Sequence, residues 1–149
     1  MRWEYIDLKC KALHIPKTKN GDPLDLPLSD FLVGWLRDRR EQTGSSSWVF
    51  PSKGRTGHLV ETKKFTARVT ERSGVKFTFH DLRRTFITIA ESLDIPHYAL
   101  KRLLNHRLSG DVTAGYIVSD VDRLREPLRA VTERILARAK GNEGKGGNA

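Results

Sequence analysis

"IPKTKNGDPLDLPLS", residues 15–29, holds a turn, a β-type run and a helix start in close succession. Asn20-Gly21 accepts the left-handed backbone of a tight two-residue hairpin loop. The runs on either side, "ALHIP" at 12–16 and "LDLPLS" at 24–29, have β character, as does "WEYIDL" at 3–8. The first 28 residues therefore read as a small antiparallel meander with a lysine-rich hairpin tip. Ser29 is suited to cap a helix, because its hydroxyl can accept from a free amide of the first turn. Phe31, Leu32, Trp35 and Leu36 follow at helical spacing, and Gly44 marks the end.

Beyond this point the chain is mainly helical. "SSSWVFPSKGRTGHL" at 45–59 is a loop by composition, anchored by Trp48, Val49 and Phe50. Residues 61–73 predict a basic helix with Phe65 and Val69 inward, stopped by Gly74. Leu82, Phe86, Ile89 and Leu93 form the stripe of a further helix. Pro96 suits the first turn of the next, with Leu100, Leu103 and Leu104 inside. "LSGDVTAGYIV" at 108–118 reads as a short helix. Val121, Leu124, Leu128, Val131 and Ile135 recur at alternating spacings of three and four, a packing seam. That seam can pack on its own domain or on a neighbouring protomer. Pro127 interrupts it and predicts a kink or a restart. The expected class is α+β, mainly helical, with a small antiparallel sheet near the N-terminus packed on a helical bundle. Residues 1–140 are expected to form one domain and 141–149 a flexible tail.

The 149 residues suffice for one domain with a real core. One cysteine, Cys10, excludes a disulfide framework within the chain and fits a reducing compartment. No apolar run is long enough for a transmembrane helix, and the first ten residues lack the pattern of a signal peptide. We expect a cytoplasmic protein that does not engage a membrane. Lys and Arg number 27 against 18 Asp and Glu, a net charge of +9. Such a surface attracts polyanions, and nucleic acid is the commonest one. The basic residues are scattered rather than blocked, which favours a folded nucleic-acid surface over a polybasic membrane anchor.

"FHDLRRTF" at 79–86 places His80 and Arg83 beside the apolar stripe. An arginine fork matches two phosphate oxygens and keeps its charge at any physiological pH. Histidine can donate to an oxygen or move a proton near neutral pH. The bland alternatives are that His80 caps its helix and Arg83 is a solvated charge. Against the second, Arg83 lies at the edge of the buried face, where a charge needs a partner. His106 after "LLN" and Tyr116 further on complete the set of phosphodiester-competent groups, with Lys19 at the hairpin tip. His106 also reads as a packing residue, Tyr116 as a half-buried core tyrosine, and Lys17 competes with Lys19. His14, His58 and His97 have no partner at metal spacing, so neither a metal site nor a cofactor is expected.

"IPKTKNGDPLDLPLS", "FTFHDLRRTF" and "LLNHRLSGDVTAGYIV" together resemble, in order and spacing, the catalytic domain of the tyrosine recombinases in their phage integrase branch. The resemblance covers about residues 1–135. It implies Tyr116 as nucleophile, His80 and Arg83 as the pair gripping the scissile phosphate, His106 as the histidine before the nucleophile, and Lys19 as the acid for the leaving 5′-hydroxyl. It implies double-stranded DNA as partner, a tetramer on that DNA, and possible exchange of the C-terminal helix between protomers. Lys17, Lys63, Lys64, Arg84 and Arg107 are the candidate contacts to DNA. Asn105 stands where glycine is common in the family. The family also carries an arginine in a helix ahead of the first strand, and a separate N-terminal domain. The strand here begins at the second residue, so both are expected to lie outside this chain, which is read as a fragment that is weak or inactive in recombination on its own. A non-catalytic DNA-binding remnant or regulator is the competing function.

Overall fold

The computed structural model describes residues 1–106 and 121–143. Strands β1 (Ile6–Asp7), β2 (Ala12–Ile15) and β3 (Leu24–Pro27) form one antiparallel sheet in the order β1-β2-β3, with Leu13 facing Ile6 on one side and Leu26 on the other. The expected first strand is shortened. Trp3–Tyr5 is a 3-10 turn that carries the indole of Trp3 inward, where its Nε1 donates to Thr43 Oγ1 at 3.1 Å. Burying that ring takes the chain out of the extended conformation, and only Ile6 and Asp7 remain to pair.

The hairpin tip also departs from expectation. Gly21 N donates to Thr18 O and Thr18 N donates to Asp22 O, both at 3.0 Å, with Gly21 at φ +92°. The ladder sets Ile15 opposite Leu24, so the pairing of Thr18 with Asp22 is one residue out of register. Lys19, Asn20 and Gly21 thus form a three-residue loop closed by a glycine bulge, rather than a two-residue loop.

Ser29 caps α1 (Asp30–Thr43), its Oγ accepting from Leu32 N, and Gly44 ends it. The buried face of α1 is Val33 and Leu36, which join Trp3, Leu28 and Val49 in a first core. Phe31, Leu32 and Trp35 are exposed, contrary to the periodicity reading. An apolar stripe shows where a helix can pack, but not which arc of it meets a partner. Here Trp3 and Val49 select the Val33–Leu36 arc, and Trp35 leans on Phe50 at the rim, 6.0 Å between ring centroids. Helix α2 (Lys63–Ser73) ends at left-handed Gly74 as expected. It buries no residue, however, and Phe65 is 60% exposed rather than inward.

The second core lies among α3 (Phe79–Glu91), α4 (His97–Leu103) and α5 (Arg125–Glu143). Ile89, Ala90, Leu100 and Val131 are buried there, with Phe86, Leu93 and Leu104 packed around them. Leu82, expected in the stripe, is 51% exposed in the first turn of α3. The seam at Val121–Ile135 packs on the chain's own α3 and α4, with Leu124 and Val131 buried. The break at Pro127 is a restart. Val121–Leu124 is a 3-10 turn, and Pro127 occupies the first turn of α5, where its missing N–H leaves no bond unmade.

The two cores are tied by Arg125. Its guanidinium donates to Cys10 O at 2.8 Å and Lys11 O at 3.1 Å, while Lys11 Nζ reaches Asp30 Oδ1 at 2.6 Å. Of the expected tail, residues 141–143 continue α5, and 144–149 lie outside the described residues. The predicted short helix at 108–118 also lies outside them. Among the described residues no helix is long and apolar enough to cross a membrane.

Candidate active site

Three segments meet beside the second core. The first is the start of α3. Thr78 caps it, accepting from Asp81 N at 3.2 Å, and Asp81 Oδ2 accepts in return from Thr78 N at 2.9 Å. This reciprocal box satisfies two end amides and sets the phase of the first turn. His80 is therefore not the cap. It is the second residue of α3 and is exposed. The hydrogen bonds from Thr78 hold the Asp81 carboxyl below its ordinary pKa, with smaller help from Arg84 and His80.

Arg83 lies one turn further on, half-buried. The partner that its position demands is a backbone carbonyl: Nη2 donates to Leu104 O at 2.6 Å. A guanidinium suits this place, because the last carbonyls of a helix lack intrahelical donors and carry partial negative charge. The other N–H groups of its fork are not committed to that bond.

The second segment is the turn after α4. Asn105 N donates to Arg102 O at 3.0 Å and His106 N to Lys101 O at 2.9 Å. With Asn105 at φ +52°, these two bonds make a Schellman turn. Asparagine tolerates the left-handed conformation better than any residue but glycine, which explains why it can stand at this position. The turn directs His106 out of the helix to an exposed position.

The third segment is the hairpin tip. Asn20 Nδ2 donates to Asn105 O at 3.0 Å, a bond between residues 85 positions apart. Consecutive carbonyls of one turn, Leu104 O and Asn105 O, thus receive Arg83 from α3 and Asn20 from the hairpin. The structure in this way brings together the segments that carry Lys19, His80, Arg83 and His106. Tyr116 and Arg107 lie outside the described residues.

The candidate DNA contacts are spread more widely. Lys17 and Lys19 are exposed on the hairpin, and Lys64 on α2. Lys63 pairs with Glu61 at 3.3 Å and Arg84 with Asp81 at 3.8 Å, both cations remaining largely in solvent. Such pairs are weak and leave the cations available to a phosphate. Two of the other histidines have structural surroundings, while His97 is exposed at the start of α4. His14 Nδ1 meets Asp25 Oδ1 at 2.7 Å across the sheet, and His58 stacks on Trp48 at 4.0 Å. Among the described residues no group of three or more His, Cys, Asp or Glu side chains is placed to hold a metal ion. Among the described residues, one concavity of about 500 Å³ lies elsewhere, beside Arg2, Trp3 and Arg40.

Two contributors were not singled out from the sequence. The cap was legible in Thr78-Phe-His-Asp81, a Ser/Thr-x-x-acid box ahead of an apolar stripe. Asn20 carried no such sign, since Asn-Gly is accounted for by the turn itself.

Curated proteins show the same relationship. Prophage integrase IntF of Escherichia coli strain K12 is 25% identical over 143 residues, covering 93% of this chain and 31% of that protein. A shufflon-specific DNA recombinase of Escherichia coli is 29% identical over 89 residues, 59% of this chain and 21% of that one. The chain therefore spans under a third of the length of either relative. No solved structure gives a significant match. The model of the phage integrase family matches residues 1–123, most of the chain. By that match, on a fold and a motif order that agree with it, the chain belongs to the phage integrase family.

Proposed function

We propose that this chain is the catalytic domain of a site-specific DNA recombinase that works through a tyrosine nucleophile. Tyr116 Oη attacks the scissile phosphorus, and the P–O5′ bond breaks. The phenol proton passes to an imidazole, His80 or His106, and the leaving 5′-oxygen takes a proton from Lys19. The product is a 3′-phosphotyrosine link and a free 5′-hydroxyl. The link preserves the phosphodiester energy, so a second strand's hydroxyl can reverse the step without ATP. Arg83 and the imidazoles supply the positive charge and donors that stabilise the pentacoordinate phosphate. Double-stranded DNA is the substrate. The cationic surface holds its backbone through Lys17, Lys63, Lys64, Arg84 and Arg107, and strand exchange is carried out by a homo-oligomer on that DNA.

One observation carries this reading: Arg83 and Asn20 close on consecutive carbonyls of the turn that presents His106. That arrangement is costly to assemble from three distant segments for packing alone. It fixes Arg83, whose fork has further N–H groups outside that bond, beside the turn that carries His106, which is the relation a site for one phosphate would use. The family match supports the same reading.

The test is a nicked suicide duplex, with which the complete gene product carrying this chain is incubated in EDTA. A covalent protein–DNA adduct is expected, absent in Tyr116→Phe while DNA affinity is retained. An adduct that persists in Tyr116→Phe rejects the assignment. Binding without an adduct in the complete product favours a DNA-binding remnant.

A further inference from the structure

We infer that Asn20 is a positioning residue for the hairpin lysine. Its side-chain amide pins the loop to the 104–106 turn and so fixes where Lys19 can deliver its proton. The inference rests on Lys19 being the acid proposed above, and adds the device that makes a lysine on a surface loop usable.

A lysine on a tight loop is poorly placed to act alone. Its four-carbon stem carries about 2 kcal/mol of rotamer entropy, and the loop sits at the end of strands only four residues long. Within the loop, Gly21 N and Thr18 N close the turn, and Asn20 N is held by Thr18 Oγ1 at 3.2 Å. The turn is therefore complete without the Asn20 amide group. That group is directed away from its own loop to Asn105 O at 3.0 Å, in a part-buried contact. Local turn chemistry does not ask for this bond, because Asp or Ser serves the same turn position. What the amide adds is a donor. An aspartate of the same shape would set a carboxylate oxygen against the Asn105 carbonyl. The carbonyl it meets belongs to the residue next to His106 and adjoins the one bound by Arg83. The bond thus references the Lys19 backbone to the same turn that locates the phosphate-gripping groups. Lys17 lies on the strand side of the loop, two residues further from the pinned position. The clasp therefore favours Lys19 over Lys17 as the acid.

The experiment measures single-turnover cleavage at saturating DNA in the complete gene product, for Asn20→Ala, Asn20→Asp and Lys19→Ala. Two substrates are compared: one with the ordinary 5′-oxygen at the scissile bond, one with a bridging 5′-sulfur. A thiolate leaves without prior protonation, since its conjugate acid has a pKa of about 8.5. Both Asn20 variants are expected to slow cleavage of the oxygen substrate by about a hundredfold, the scale of a misplaced catalytic group. On the sulfur substrate they should match the parent, as Lys19→Ala should. If Lys19→Ala is rescued by sulfur but the Asn20 variants are not, Asn20 serves only the fold and the inference fails. Parent-like cleavage of the oxygen substrate by both Asn20 variants overturns it too. If Lys19→Ala itself is not rescued, the assignment of Lys19 is wrong and the clasp loses its purpose. Amide hydrogen exchange on this chain adds a readout free of DNA. Asn20→Ala should speed exchange at Thr18 and Gly21 about tenfold with α3 unchanged, and unaltered exchange at the tip would contradict a clasp.

Discussion

Replacing Val131 by alanine tests whether the last helix belongs to its own domain. Val131 is 0% exposed and packs among Ile89, Ala90 and Leu100 on α3 and α4. The change deletes two methyl groups, about 1.6 kcal/mol of transfer free energy at ~0.8 per buried carbon. Part of the space stays empty, because Ala90 has no longer side chain to move into it. A cavity contribution brings the expected cost to about 2–3 kcal/mol. Ile135→Ala is the control on the same helix, at a site already 38% exposed, and should cost about 1.5 kcal/mol or less, with no cavity contribution. The assay is urea denaturation followed by two probes. Far-UV circular dichroism reports mainly the helices. Fluorescence reports Trp3, Trp35 and Trp48, all in or beside the first core. If Arg125 couples the two cores, both curves shift together. A loss below about 0.5 kcal/mol, or a midpoint that moves with protein concentration, would mean that the Val131 seam is not buried within one chain.

Further outcomes follow from the turn and the cap. Asp81→Asn should destabilise the chain at neutral pH. Because the folded carboxyl titrates below its ordinary value, its contribution is present above the carboxylate range and is lost as pH falls through the lowered pKa. The gap between parent and variant in urea midpoint should therefore hold from pH 7 to about 5 and close toward pH 3; a gap independent of pH would deny the carboxylate its role. At Asn105, φ +52° makes valine cost about 1–2 kcal/mol while glycine stays within about 0.5, read from thermal melts; an equal loss in both would mean the turn is not left-handed. Arg83→Lys keeps the charge but loses the fork, and should lower cleavage by about 10²–10³ with little change in DNA affinity. Equal losses of both would reduce Arg83 to a backbone contact.

Much of this architecture was legible because local chemistry is short-ranged. Ser29, Gly44 and Gly74 each act within one turn of their own helix, and the structure uses all three as read. The β runs at 12–16 and 24–29 pair as expected. What failed was partner choice. Phe31, Leu32, Trp35 and Phe65 have the right period, yet only a folded neighbour decides whether a face is covered. The site divides in the same way. His80, Arg83, His106 and Lys19 were named from residue type and motif order. The bonds that hold their segments together go to carbonyls of Leu104 and Asn105, and main-chain acceptors leave no mark on a sequence.

The most direct measurement is the identity of the DNA-linked residue. The complete gene product is trapped on a nicked duplex, digested with nuclease and protease, and read by mass spectrometry. The account predicts one nucleotide-phosphate adduct, on the peptide containing Tyr116 and on its phenol oxygen. An adduct on any other residue, or DNA cleavage that leaves no covalent protein, would contradict it.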